Sequence, residues 1–240
     1  MKLKQVLKKH NVTATVISLV ERAETRQETV QSLIDFGLDV EVIESDPRDY
    51  AENYGNAFCN SQASAKAIEL ALEKKTNLLF CEDDIYFSKH FGVYANWAAE
   101  KDEITYFYAH DKVDKMSYLY DRDTKNLIKA NQGVALKRLY KLWMTRFLPF
   151  TQCVYIPHRH LEAFNLDSIR EGLQSFDLWL ADYIRSNKVT PFIALPHPVQ
   201  HKNIRLGKEN TEGQEWKRSL SFVETDRYVP EIQSNSPESS

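Results

Sequence analysis

Apolar positions along this chain follow two rhythms, short continuous or β-branched runs and longer stretches at helical spacing. Thr13 to Leu19 is β-branched and apolar and reads as a first strand. A polar turn leads into a helix from Ala23 to Phe36, with Val30, Leu33 and Ile34 at helical spacing and Gly37 as its C-cap. Val40 to Ile43 reads as a second short strand, so the opening β-α-β unit fits a right-handed crossover between parallel strands. Residues 46–59 read as a polar loop over a ligand, with Tyr50, Tyr54 and Phe58 dispersed through it. Ser61 to Lys74 reads as a helix with Ala65, Ile68, Ala71 and Leu72 on its apolar side. Leu78 to Cys81 is an uninterrupted apolar run, which suits a short strand buried on both faces. Phe87 to Lys101 reads as a helix and Thr105 to Ala109 as a strand. Residues 115–130 pattern as a hairpin, and Val134 to Phe147 as a helix closed by Pro149. Gln152 to Ile156 is then a strand, Arg159 to Phe164 and Phe176 to Ser186 are helices, and Thr190 to Leu195 is the last strand. From Pro196 onwards the chain is polar and irregular. The pattern predicts an α/β fold with one mixed, mostly parallel sheet flanked by helices. The expected organisation is an arm at 1–12, a single domain at 13–225, and a tail at 226–240 of disordered composition.

Composition narrows this picture. A length of 240 residues with 42% hydrophobic positions suits one large α/β domain. The net charge of −3 gives no global drive towards nucleic acid or anionic membrane. No apolar stretch is long enough to span a bilayer, and the basic N-terminus lacks an apolar signal core, so a soluble, cytoplasmic protein is expected. Cys59, Cys81 and Cys153 have no CxxC spacing, which argues against a disulfide framework or a zinc ribbon.

The candidate chemistry starts where the apolar run ends. Leu78 to Cys81 gives way abruptly to Glu82, Asp83 and Asp84. In open α/β sheets, ligands bind beyond the carboxyl ends of the strands. Three acids there can supply oxygen ligands to a hard divalent cation. The plainer reading is a solvated acidic turn capping a following helix.

An ordered set of segments begins with the arginine-bearing turn Ile17 to Arg26 and continues through Cys59-Asn60-Ser61-Gln62 and Cys81-Glu82-Asp83-Asp84. It ends with Thr151 to Pro157, Phe176 to Leu180, and Pro198-Val199-Gln200-His201. Taken in this order, the set resembles glycosyltransferase family 25, the lipopolysaccharide and collagen-type sugar transferases of GT-A fold. Gln62 stands where the family usually has His, and residues 110–150 match nothing in it.

The resemblance implies a metal-dependent, inverting transfer of a sugar from a nucleotide-sugar donor, most simply a UDP-sugar, to an acceptor hydroxyl. Mn²⁺ or Mg²⁺ is the implied cofactor, and an imidazole ligand favours Mn²⁺. Asp84 and His201 are the implied metal ligands, with His197 a nearby competitor. Glu82 and Asp83 take ribose or supporting roles, and Arg22 and Arg26 either meet uridine or diphosphate or form a solvated helical face. Lys202 and Arg205 belong to a basic segment expected to close over the diphosphate. Asp177 reads either as the general base or as a helix N-cap, and Trp179 either lines the acceptor site or belongs to the core. His158 and His160 read as structural. The acceptor is left open among a glycan, a protein and a modified DNA base. Two competing readings are nucleotidyl transfer and a non-catalytic nucleotide-sugar-binding protein.

Overall fold

Strand β1, Val12–Leu19, forms because its β-branched residues are buried on both faces, and the rest of the sheet is built outwards from it. The computed structural model describes residues 10–45, 55–108, 138–141, 151–195, 197–202, 204–205, 208–209, 222 and 224–232. β1 pairs in parallel with β2, Asp39–Ser45, on one side and with β3, Asn77–Glu82, on the other. The chain moves one way along the sheet from β1 to β2 and the other way, past β1, from β2 to β3. Right-handed crossovers then put helix α1, Ala23–Asp35, and helix α2, Gly55–Lys74, on opposite faces. Gly37 sits at φ 89°, where a Cβ would clash, and lets Leu38 N–H reach the Leu33 carbonyl at 3.2 Å to close α1.

Beyond β3 the sheet turns mixed. β7, Cys153–Ile156, runs antiparallel to β3 and to β5, Thr105–Tyr106. β8, Phe192–Leu195, is parallel to β5, and β6, Arg138–Lys141, is antiparallel to β8 at the edge. The order is β2-β1-β3-β7-β5-β8-β6, with β7 and β6 opposed to the other strands. One face carries α2, α4 (His158–Leu161), α5 (Leu166–Arg170) and α6 (Phe176–Ser186) over a core that includes Phe80, Phe176 and Leu180. The other face carries α1 and α3, Phe91–Lys101, over Leu33, Phe36, Phe91 and Tyr94. The α/β class and the helix-flanked mixed sheet read from the sequence are the architecture found. Among the described residues, no helix is long and apolar enough to cross a membrane.

Several sequence expectations are corrected. The helix expected from Phe87 begins at Phe91. Ile85 to Phe87 is instead a short strand, β4, alternating buried, half-buried, buried. Its side chains alternate with the period of a strand. Its partner is β9, Val199–His201, in the segment expected to be irregular. A small hairpin, β10 (Ile204–Arg205) with β11 (Lys208–Glu209), follows. Arg138 to Lys141, expected in a helix, is an edge strand because β8 offers it a ladder. Gly55 to Cys59, expected in a loop, form the start of α2. Residues 226–232, assigned to the tail, pack onto the domain. Tyr228 N–H donates to Phe87 O at 2.7 Å and its hydroxyl to Asp35 at 2.6 Å. The hairpin expected at 115–130, residues 1–9 of the arm expected at 1–12, and the terminal eight residues lie outside the described residues.

Candidate functional site

The site forms where β1 and β3 end side by side. β1 passes directly into a single 3-10 turn, Val20–Arg22, which delivers the Arg22 side chain across the end of β3. There it meets the loop between β3 and β4. Arg22 Nη1 lies 2.9 Å from Asp83 Oδ1 and Nη2 lies 2.8 Å from Asp84 Oδ2. Asp83 and Asp84 are 2% and 4% exposed, so this is a buried ion pair and not a surface contact.

The loop backbone is fixed from three sides. The Thr29 hydroxyl on α1 lies 2.7 Å from Asp83 O and 3.1 Å from Ile85 O, Lys202 N–H donates to Asp84 O at 2.7 Å, and Glu82 N–H donates to Gln152 O at 2.9 Å. Ser18 Oγ donates to Asp83 Oδ2 at 2.7 Å. Fixed dipoles of this kind hold the carboxylates in place without a ligand.

β9 completes the arrangement. Its register places His201 opposite Ile85, immediately after the acidic loop. His201 is 3% exposed, and its Nε2 lies 3.4 Å from Asp84 Oδ2. Glu82, Asp84 and His201 thereby present donor atoms within 4.8 Å of one another. Asp84 Oδ1 is buried and, among the described residues, has no hydrogen-bond partner. A buried carboxylate oxygen without a donor is costly, and a cation satisfies it. One imidazole with two carboxylates suits Mn²⁺ better than Mg²⁺. The residues therefore fit the divalent ion implied by the sequence resemblance.

Electrostatics reinforce the picture. Burial pushes the Asp83 carboxyl up to about 6, with Arg22 and the Ser18 hydroxyl pulling it back and Asp84 pushing further. Burial opposes the Arg22 charge, but Asp84 and Asp83 together outweigh it and hold the guanidinium above its ordinary value. The Tyr108 ring centroid lies 6.4 Å from that of buried His197 and 6.5 Å from that of buried His201. Burial drives His197 down to about 3, so its imidazole is neutral at physiological pH.

The other expected residues are placed less uniformly. Arg26 is tied to Glu44 and, at 3.5 Å, to Leu19 O, at the same edge but away from the acids. Lys202, expected to contact the diphosphate, is held by groups of α1. Its side chain is 3% exposed, with Nζ 3.1 Å from Glu28 and 2.9 Å from Thr25 O, so it anchors β9 to α1. Arg205 lies in β10, and its side chain is outside the described residues. Asp177 occupies the first turn of α6, half-buried, with the Ser175 hydroxyl donating to it. Phe176 beside it packs on Phe80, 5.2 Å between centroids, which sets the start of α6 near the carboxyl end of β3. Trp179 is core: 9% exposed, bonded through Nε1 to Ser168 Oγ at 2.7 Å and stacked on Tyr183. Gln62 donates to Arg170 O at 2.6 Å and so joins α2 to α5. His158 and His160 bond to Thr76 O and to Tyr183.

Ser18 and Thr29 escaped the sequence reading. Their only signal is a hydroxyl within an apolar strand and another on the buried side of a helix. No protein-family model matches this chain and no match is found among curated proteins, so the chemistry of the site rests on its own geometry.

Proposed function

We propose that this protein is a metal-dependent glycosyltransferase of GT-A type that moves a sugar from a nucleotide-sugar donor to an acceptor hydroxyl with inversion. The observation that carries the reading is the convergence of Glu82, Asp84 and His201 at the carboxyl edge of the sheet, with Asp84 Oδ1 buried and lacking a described partner. That edge is where doubly wound sheets take nucleotides. The mixed strand order, with three parallel strands leading into an antiparallel one, is compatible with the GT-A arrangement.

A divalent ion held by these three residues would neutralise charge developing on a diphosphate leaving group as a Lewis acid. The chain supplies the rest. Arg22 offers a guanidinium beside the same acids, matched to phosphate oxygens. Asp177 at the head of α6 would accept the proton of the acceptor hydroxyl as its oxygen attacks the anomeric carbon. The bond to the diphosphate breaks with its electron pair leaving on phosphate oxygen. The buried dipoles of Ser18 and Thr29 hold the acidic loop rigid during this change.

A thermal-shift panel of nucleotide sugars with and without Mn²⁺ tests the proposal, because ligands of the native state raise its melting temperature. A Mn²⁺-dependent shift with a UDP-sugar, followed by transfer or slow hydrolysis of that donor, is expected. Shifts with nucleoside triphosphates alone would redirect the assignment to nucleotidyl transfer. Binding without turnover would make it a nucleotide-sugar-binding protein.

A further inference from the structure

Arg22 occupies a position that a metal site does not ordinarily tolerate. Its Nη2 lies 2.8 Å from Asp84 Oδ2, the same oxygen that faces His201 Nε2 at 3.4 Å. A dication bound to Asp84 and His201 would lie a few Å from a guanidinium, and like charges at that range repel strongly inside a protein. The buried acids, however, need a counter-charge when no ligand is present, since an unpaired buried carboxylate is costly. Arg22 meets that need, bridging Asp83 and Asp84 with two hydrogen bonds.

The bridge leaves two groups unmet among the described residues, an acceptor and a donor. Asp84 Oδ1 is buried with no hydrogen-bond partner, and so is Arg22 Nε. A cation alone would satisfy the first and repel Arg22. An anion alone would satisfy the second and be repelled by Asp83 and Asp84. A cation and an anion arriving together satisfy both.

We propose that Arg22 is an exchangeable counter-cation: it holds Asp84 in the unliganded protein and passes to the phosphate oxygens of a diphosphate when a divalent ion takes its place. The proposal rests on the reading of Glu82, Asp84 and His201 as a metal site. It makes metal and diphosphate binding strongly synergistic, each raising the affinity of the other by the same factor. Arg22 is a ligand-binding residue in the liganded state, and its cost to metal binding is a built-in safeguard against filling the site with metal alone.

The test is titration of the full chain by calorimetry with MnCl₂ alone, with UDP alone, and with UDP in saturating Mn²⁺. Arg22→Gln keeps donors for the carboxylates but removes the charge. It should bind Mn²⁺ alone about tenfold more tightly than the wild type, a coupling of ordinary size. The enhancement of UDP binding by Mn²⁺ should shrink by a similar factor. Arg22→Lys, which retains charge without the two-pronged bridge, should fall between, and it serves if the Gln variant is poorly folded. Unchanged or weaker Mn²⁺ binding in both variants, with Asp84→Asn still abolishing it, would overturn the exchange and leave the metal site standing. Absence of Mn²⁺ binding in every protein, with and without UDP, would overturn the metal reading and the exchange with it.

Discussion

Two clusters in this molecule combine acids, an arginine and a histidine, and they sit at opposite ends of the sheet. At the carboxyl edge, Arg22, Asp83 and Asp84 have side chains only 13%, 2% and 6% exposed. At the other end, Arg159 reaches Asp102 at 3.1 Å and Glu103 at 2.8 Å, beside a cleft of about 690 Å³. There the arginine is 47% and Asp102 56% exposed. His160 joins through Glu103 at 3.5 Å and Tyr183 at 3.1 Å, and burial together with Arg159 lowers its pKa. Residue types are nearly the same. In the second cluster His160 alone is buried, and water can reach Arg159, Asp102 and Glu103. In the first it cannot, so each unmet atom there calls for a ligand or carries a cost.

The largest expected effect tests whether the buried cluster binds metal at all. Asp84→Ala should weaken Mn²⁺-dependent donor binding by about a hundredfold or more, beyond the usual effect of losing a supporting contact. Calorimetry showing unchanged metal-dependent affinity would reduce the carboxyl edge to a second salt-bridge cluster. Close behind, Asp177→Asn asks whether the active edge extends to α6. It should keep donor binding and melting temperature but lose about a hundredfold in transfer rate. Asparagine serves equally well near a helix start, so near-normal turnover would leave Asp177 a purely local role.

The comparison is sharpened next by stability. Arg22→Leu leaves buried acids without their partner and should cost about 3 kcal/mol in urea unfolding, whereas Arg159→Ala should cost no more than about 1 kcal/mol. Equal losses would mean that burial does not separate the clusters energetically.

The smallest effect is in pH. Asp83 titrates near 6 in the folded protein and near 3.8 when unfolded, so the folded state holds more protons between those values. Stability from this group is therefore gained as pH falls from about 7 to about 4 and lost as pH rises through 6. Melting temperatures of wild type and Asp83→Asn should diverge across that window, with the wild type relatively better at pH 5 than at pH 7. A constant difference would place the titration elsewhere.

Much of the fold is legible in the sequence where one rhythm dominates. Leu78 to Cys81 and Thr13 to Leu19 are strands because every position but Ser18 is apolar or β-branched, and no exposed polar face competes. The acidic loop is legible for the same reason, since three carboxylates against a buried strand stand out. What is illegible depends on partners distant in the chain. Ile85 to Phe87 is too short to declare itself, and β9 is polar at Gln200 and His201; only their mutual ladder makes them strands. Lys202 reads as a phosphate ligand because nothing local reveals Glu28 and Thr25 behind it. Arg22 is visible as a candidate, yet its attachment to the acids themselves belongs to the turn after β1.

The ladder between β4 and β9 also sets the order in which the site can come into being. His201 is held against Asp84 only because β9 runs beside β4, and that partner is made long after the acids and Arg22. A chain still emerging from the ribosome, with β9 not yet available, carries the carboxylates and the arginine but no imidazole. During that interval Arg22 is the partner through which the acidic loop can be neutralised, and the cluster with His201 waits for β9. Long-range closures of this kind are slow steps in folding. Assembly of the Glu82, Asp84 and His201 cluster thus depends on the β4–β9 ladder and not merely on the presence of the acidic residues.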